Sequence, residues 1–230
     1  MNYVMNKHQI GIIDDQPDTR NALADTIADS DSITPHVYDD KFESLEVCIK
    51  TVHSQDTAAI FDNHLSQRNY ANFRGILAVS RLYLLFFPAL LVSSYEADVL
   101  EMREYRQHVP IILAPDKVTP DSIIKGLEIC KNEFAEKFTS ERKPWRSLVR
   151  VDEISEDKKS VYVVIPSWNE HKPIKLLTSM LPPEYLLHLA VDVHFFAQVN
   201  VDTEHHQDLY LHSFEPIKKL RAKYAKFIHS

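Results

Sequence analysis

Glycine is nearly absent from this chain: of 230 residues only Gly11, Gly75 and Gly126 are glycine. The Walker-type and dinucleotide-type phosphate loops both need several closely spaced glycines so that backbone can approach phosphate. Nucleotide hydrolysis or dinucleotide binding by those routes is therefore excluded. Cysteine is scarcer still, with Cys48 and Cys130 far apart on stretches of helical spacing. Each reads as a small buried apolar residue rather than half of a disulfide, which suits a reducing cytoplasm. Long apolar runs are missing too. The N-terminal MNYVMNKHQIGIIDD lacks an extended apolar core with a small-residue cleavage site, and the most apolar run, LYLLFFPALLV, is short and broken by Pro88. Neither export nor a membrane span is expected, and the expected location is cytoplasmic.

What is present is an ordinary globular composition, 44% hydrophobic and 26% charged with a formal net charge of −7, enough for one large domain or two small ones. Over the first 140 residues, short apolar runs alternate with longer segments of helical spacing. That is the pattern of an α/β domain with a doubly wound, five-stranded parallel sheet. The runs fall near 9–15, 36–40, 58–62, 89–94 and 110–117. Helices are expected over 18–28, 42–52, about 69–85, about 96–107 and from 120 to about 139, the last opening on Pro120, which suits a first helical turn.

The strand ends carry the chemistry. The third run, AAIFD, is apolar up to a lone Asp62 and drops at once into polar residues. Asp14 and Asp15 close the first run, Ser93 and Ser94 the fourth, and Lys117 lies at the end of the fifth. In an open α/β sheet ligands bind at the carboxyl ends of the strands, so these polar side chains should converge. Three carboxylates in one pocket repel unless a cation is present, and hard oxygen ligands suit Mg²⁺ or Mn²⁺ with several waters retained. A lysine beside them would balance the remaining charge. An Asp at a strand end is, taken alone, more often a turn or cap residue; the ordered set is what raises Asp62 above that reading.

With those residues in hand, positions 8 to about 138 resemble the receiver domain of two-component response regulators, a flavodoxin-like fold. That family places an acidic pair after its first strand, a phosphoacceptor aspartate after its third, a Ser or Thr after its fourth and a lysine after its fifth. The counterparts are Asp14 and Asp15 in IIDDQPDTR, Asp62 in AIFDNHL, Ser93 in LLVSSYEA and Lys117 in LAPDKVTP. The resemblance implies that Asp62 accepts a phosphoryl group from a histidine kinase or phosphotransfer protein. It implies Mg²⁺ held by Asp15 directly, by Asp14 through water, by Asp62 and by the backbone carbonyl of His64, with Ser93 and Lys117 receiving the phosphoryl oxygens. The chain also departs from the family. The loop after Asp62 has no proline, and its first glycine is Gly75. Val118 rather than proline follows Lys117, and Ala114 stands where an aromatic switch residue is usual.

After residue 142 the pattern changes. A receiver-like domain of 1–142 and a linker of 143–148 are expected, followed over 149–215 by five short alternating strands and a helical turn at 182–189, read as a small SH3-like or OB-like β barrel. Residues 216–230, with Ile217, Leu220, Tyr224 and Phe227, read as an amphipathic helix. Small barrels often bind nucleic acid, but residues 147–216 hold five Lys or Arg against eleven Asp or Glu, so a polyanion is repelled. His205 and His206 read as a solvated hairpin rather than a metal site. The expected function is a phosphorylatable receiver whose barrel contacts a protein partner or which acts as a phosphate sink. The alternatives are a phosphorylation-independent adaptor and, more weakly, a nucleic-acid-binding regulator using the barrel and basic tail. No nucleophile is paired with a base in the barrel, so no independent enzymatic activity is expected; the barrel's target stays unknown and a homodimer is left open.

Overall fold

A computed structural model describes residues 8–28, 30, 32–94 and 99–216 of the chain. The chain divides into two compact units, Met1–Thr139 and Ser140–Ser230. The first unit alternates strand and helix throughout: β1 (His8–Ile13), α1 (Pro17–Ala28), β2 (Ile33–Val37), α2 (Leu45–Gln55), β3 (Ala58–Asp62), α3 (Gly75–Leu84), β4 (Ala89–Val92), α4 (Val99–Tyr105), β5 (Ile112–Leu113) and α5 (Pro120–Phe134). All five strands are parallel, in the order β2-β1-β3-β4-β5. This is the doubly wound, flavodoxin-like order, with the carboxyl ends of β1 and β3 side by side at the switch point.

The central strand explains its own sequence. Ala58 to Phe61 are all buried and only Asp62 reaches partial exposure, because helices cover both faces of a parallel sheet and every side chain but the last meets apolar surface. Phe61 packs with Ile76, Val79 and Leu82 on the α3 side, while Ile60 packs with Ile27, Ile123 and Cys130 on the other. Both cysteines are buried and neither is in a disulfide, in keeping with small core residues.

Several element boundaries shift from those expected, each for a local reason. The second helix starts at Leu45, because Ser44 caps it by accepting a hydrogen bond from Val47 N at 3.3 Å. The fifth starts at Pro120 as expected, behind a capping box in which Thr119 and Ser122 exchange side-chain and backbone bonds. It ends at Phe134 rather than 139, since Glu136 takes a left-handed φ of 59° and both Ala135 N and Lys137 N turn back to Asn132 O. The third starts only at Gly75, because residues 64–74 form an excursion whose ends are pinned together: Gly75 N donates to Asn63 O at 3.1 Å, and Ile76 N to Asn63 Oδ1 at 3.4 Å.

That pinning demands glycine at position 75. A Cβ there would lie 1.9 Å from Asp62 O and 2.9 Å from Asp62 C, backbone atoms that cannot swing aside. Gly75→Ala is therefore expected to push α3 off the end of β3 and destabilise the unit by about 2–3 kcal/mol. The check is a urea midpoint that falls with an unchanged transition slope.

The second unit is antiparallel: β6 (Trp145–Ile154), β7 (Ser160–Ile165), β8 (Asn169–Leu177), a short α6 (Pro183–Leu186), β9 (His194–Val199) and β10 (Leu211–Pro216), in the order β10-β9-β6-β7-β8. Alternating residues such as Val149, Val151, Val161, Val163, Phe195 and Ala197 make its core. Asn200, fully buried, ties the strand ends together: its Nδ2 donates to Glu141 O and Asp208 O, and its Oδ1 accepts from Tyr210 N at 2.8 Å.

Among the described residues the expected closed barrel is not formed: the outer strands β8 and β10 each pair there on one side only, and both carry ladder breakers. Pro173 inside β8 has no N–H to donate, and β10 bulges between His212 and Glu215, with Ser213 at a φ of 50°. The unit is thus an open five-stranded sheet. Residues 145–148, read as linker, belong to β6, and Pro216, read as the start of the terminal helix, ends β10; the rest of that helix, 217–230, lies outside the described residues. No helix among the described residues is long and apolar enough to cross a membrane.

Candidate functional site

The site is built at the ends of β1, β3 and β4. Ile13 pairs with Phe61 across β1 and β3, so the next residue on each strand, Asp14 and Asp62, emerges beside the other. Both line one cavity of about 180 Å³, with Thr19 and Leu23 of α1 and with Val92 and Pro115. Ser93 follows β4, buried, its N–H donating to Leu113 O at 3.0 Å.

Each carboxylate accepts from the backbone. Asp14 Oδ1 accepts from Gln16 N at 2.7 Å, Asp62 Oδ2 from His64 N at 2.8 Å, and Asp15 Oδ2 from Gln67 N at 2.5 Å. The last bond comes from the excursion after β3, where Arg68 and Asn69 both take left-handed φ values. The loop without proline thus folds back over the acidic pair and commits one oxygen of Asp15.

Burial, then the neighbouring charge of Asp14, pushes the Asp62 carboxyl up to about 6; the His64 N–H opposes part of that rise. Asp14 is also raised, chiefly by burial. Two carboxyls sharing a poorly hydrated pocket resist ionising together.

Lys117 is not brought to these carboxylates. It ends a 3₁₀ turn over Pro115–Lys117, its side chain is 75% exposed, and its Nζ lies 3.5 Å from Asp116 Oδ2. The buried cation near the acidic pair is instead Arg20, which the sequence reading passed over. Its guanidinium donates to the backbone carbonyl of Asp14 and, at 3.1 Å, to Asp39 Oδ1, and lies 5.1 Å from the centre of the Tyr70 ring. Arg20 is the only basic residue of α1 and sits one turn in from the acidic pair, and that placement was the available signal.

Among the described residues no group of three or more His, Cys, Asp or Glu is placed to hold a metal ion. Asp15, with one oxygen on Gln67 N, is not among the residues that line the cavity shared by Asp14 and Asp62. His64 is exposed, and its N–H is spent on Asp62. Asp14 and Asp62 bring hard carboxylate oxygens to one cavity, and their mutual repulsion is of the kind that a small divalent cation relieves. Mg²⁺ is commonly held by one or two carboxylates while keeping most of its waters.

No family model matches the sequence, and no curated protein matches it significantly. Solved receiver domains do superpose on it. The signal receiver domain of an HD domain-containing protein from Pseudomonas fluorescens matches at 14% identity and a TM-score of 0.43, over 60% of this chain and 96% of that one. The response regulator domain of CheB from Thermotoga maritima matches at 13% and 0.41, over 54% and 98%. ChrA, a response regulator of a heme-sensing two-component system, matches at 18% and 0.42, over 55% of this chain and 58% of its own. The likeness is one of fold, and it stops short of the second unit.

The shift of Asp62 has a signed consequence in metal-free solution. The folded chain holds the Asp62 proton from an ordinary 3.8 up to about 6, so this group favours folding at low pH and stops doing so as pH rises through that window. Asp62→Asn removes the penalty. Discounted for partial solvent exposure, the variant is expected to be about 1–2 kcal/mol more stable than wild type at pH 7, with the difference vanishing below about pH 4. Denaturant melts in chelator across that range measure it.

Proposed function

We propose that the first unit is a signalling receiver that accepts a phosphoryl group on Asp62. The observation that carries this is the pairing of β1 with β3, which sets a half-buried carboxylate at the end of a rigid strand, beside a second carboxylate and next to the strand end bearing Ser93. The donor is a phosphohistidine of a histidine kinase or phosphotransfer protein. A free oxygen of Asp62 attacks phosphorus, the phosphorus–nitrogen bond breaks, and the imidazole leaves with its electron pair. Asp62 must be ionised to attack, which its raised pKa permits above about pH 6. A bound Mg²⁺ supplies charge neutralisation at the transferred group.

The chain's own residues do the rest. The His64 N–H orients the Asp62 carboxylate, and Ser93, one residue past the Val92 that pairs with Asp62, would donate its hydroxyl to a phosphoryl oxygen. Lys117 joins the site only by leaving Asp116, an exposed pair that costs little to break. The open, acidic sheet of the second unit is the output surface, suited to a protein partner rather than to nucleic acid.

A second reading is favoured by two specific contacts. With Lys117 turned to Asp116 and Asp15 held by Gln67 N, the unit also suits a phosphorylation-independent adaptor in which the fold serves as a docking platform. Acetyl phosphate and beryllofluoride, each with Mg²⁺, separate the two. For a receiver, intact-mass spectrometry finds one labile phosphoryl group on wild type and none on Asp62→Asn, and beryllofluoride raises the thermal midpoint of wild type alone. If neither ligand changes wild type, the adaptor reading stands.

A further inference from the structure

Away from the strand ends, α2 and α3 frame an open groove of about 670 Å³. Its floor is apolar, formed by Leu45 and Ile49 of α2 with Leu84 and Leu85 at the end of α3. Its rim is cationic: Lys50 and Arg81 face it from the two helices, His53 adds a titratable ring, and Glu46 is the single carboxylate. Among the described residues neither Lys50 nor Arg81 has an ion-pair partner. A positive rim is notable on a chain of net charge −7.

The end of α3 adds an independent observation. Leu84 and Leu85 are each 50% exposed and Phe86 is 71% exposed, an apolar run on the surface where polar residues are the rule. Phe86 also holds a left-handed φ of 58°. It closes the helix as a C′ residue, its N–H donating to Tyr83 O while Phe87 N donates to Leu82 O. That position favours glycine, and a bulky side chain there is a backbone outlier. The fold gains no buried core from a ring so exposed, whose aromatic contact is an edge-on approach to Phe134 at 5.7 Å. Strain kept beside a groove points to use of the surface rather than to packing.

The geometry points to a docking site for an amphipathic helix of a partner protein, one that presents an apolar stripe flanked by acidic residues. A groove between two helices with apolar side chains along it is suited to helix-in-groove recognition, read through anchors at i, i+3 or i+4 and i+7. Lys50 and Arg81 select acidic flanks and set the direction of the bound helix. The exposed Leu84–Phe86 run extends the contact past the groove, over more surface than a small ligand covers. Asp62, Asp14 and the cavity they line have no part in this site.

A display library of helix-forming peptides of about 15 residues, panned on the full chain, tests it. Enriched peptides should carry the spaced apolar anchors with Asp or Glu beside them, and should bind wild type at least about tenfold more tightly than the double variant Lys50→Glu/Arg81→Glu. Synthetic versions with each acidic residue replaced by lysine should then prefer the double variant over wild type, a gain that misfolding cannot produce. Enrichment of nothing, or of peptides blind to the charge reversal, overturns the proposal. So does a concentration-dependent dimer of the peptide-free chain that Leu85→Lys abolishes, which would make a second copy the occupant.

Discussion

The register between β1 and β3 governs the first unit. Because Ile13 sits opposite Phe61, the first residues beyond the apolar stretch on both strands are carboxylates, and they leave the sheet side by side. A slip of one residue would turn Phe61 and Ile60 to each other's faces and break both hydrophobic layers. The packing that stabilises the sheet therefore also forces Asp14 and Asp62 together. Their repulsion is not a local accident to be relieved by rotating a side chain: each carboxylate is held by a backbone N–H, and burial raises the cost of charging both. The site is electrostatically unfavourable by construction, as a place built to receive a cation or a transferred group would be.

Gly75 extends the same constraint to the helix. By letting α3 begin against the carbonyl of Asp62, it closes the excursion of residues 64–74 on itself and brings Gln67 N onto Asp15. One residue type at one position thus links the shape of the loop to the state of the acidic pair. Arg20, buried under Tyr70 and donating to the Asp14 carbonyl, holds the same corner from the α1 side.

What the sequence made legible was whatever depends on neighbours along the chain. The inner strands of the first unit are visible because buried parallel strands read as continuous apolar runs, and Asp14, Asp62 and Ser93 are visible because each breaks such a run at its carboxyl end. The second strand, expected at 36–40, lies at Ile33–Val37: at the sheet edge it is only partly buried and carries Pro35, so no apolar run marks it. The aim of Lys117 was not legible: it is set by the 3₁₀ turn that Pro115 opens and by an exposed pairing with Asp116, two adjustments of little energy. The start of α3 was misplaced because helical spacing persists through 69–74 while tertiary bonds from Asn63 decide where the helix begins. Arg20 escaped notice because its one signal, a lone basic residue of α1 just past the acidic pair, is a placement and not a repeating pattern. In the second unit the alternation gave the strands, but closure of a barrel depends on whether the two outermost strands pair. Pro173 and the bulge at His212–Glu215 settle that through hydrogen bonds that periodicity does not encode.

The central claim is that the β1–β3 register holds Asp62 in a charge-strained pocket that a divalent cation relieves. The most direct measurement is a carbon-13 NMR titration of the Asp62 carboxyl, first in chelator and then with saturating Mg²⁺. The expected result is a midpoint at about 6 without metal, moving well down once Mg²⁺ is added, with Asp14 shifting in the same direction. An ordinary aspartate midpoint near about 4 in chelator, unmoved by Mg²⁺, would contradict it.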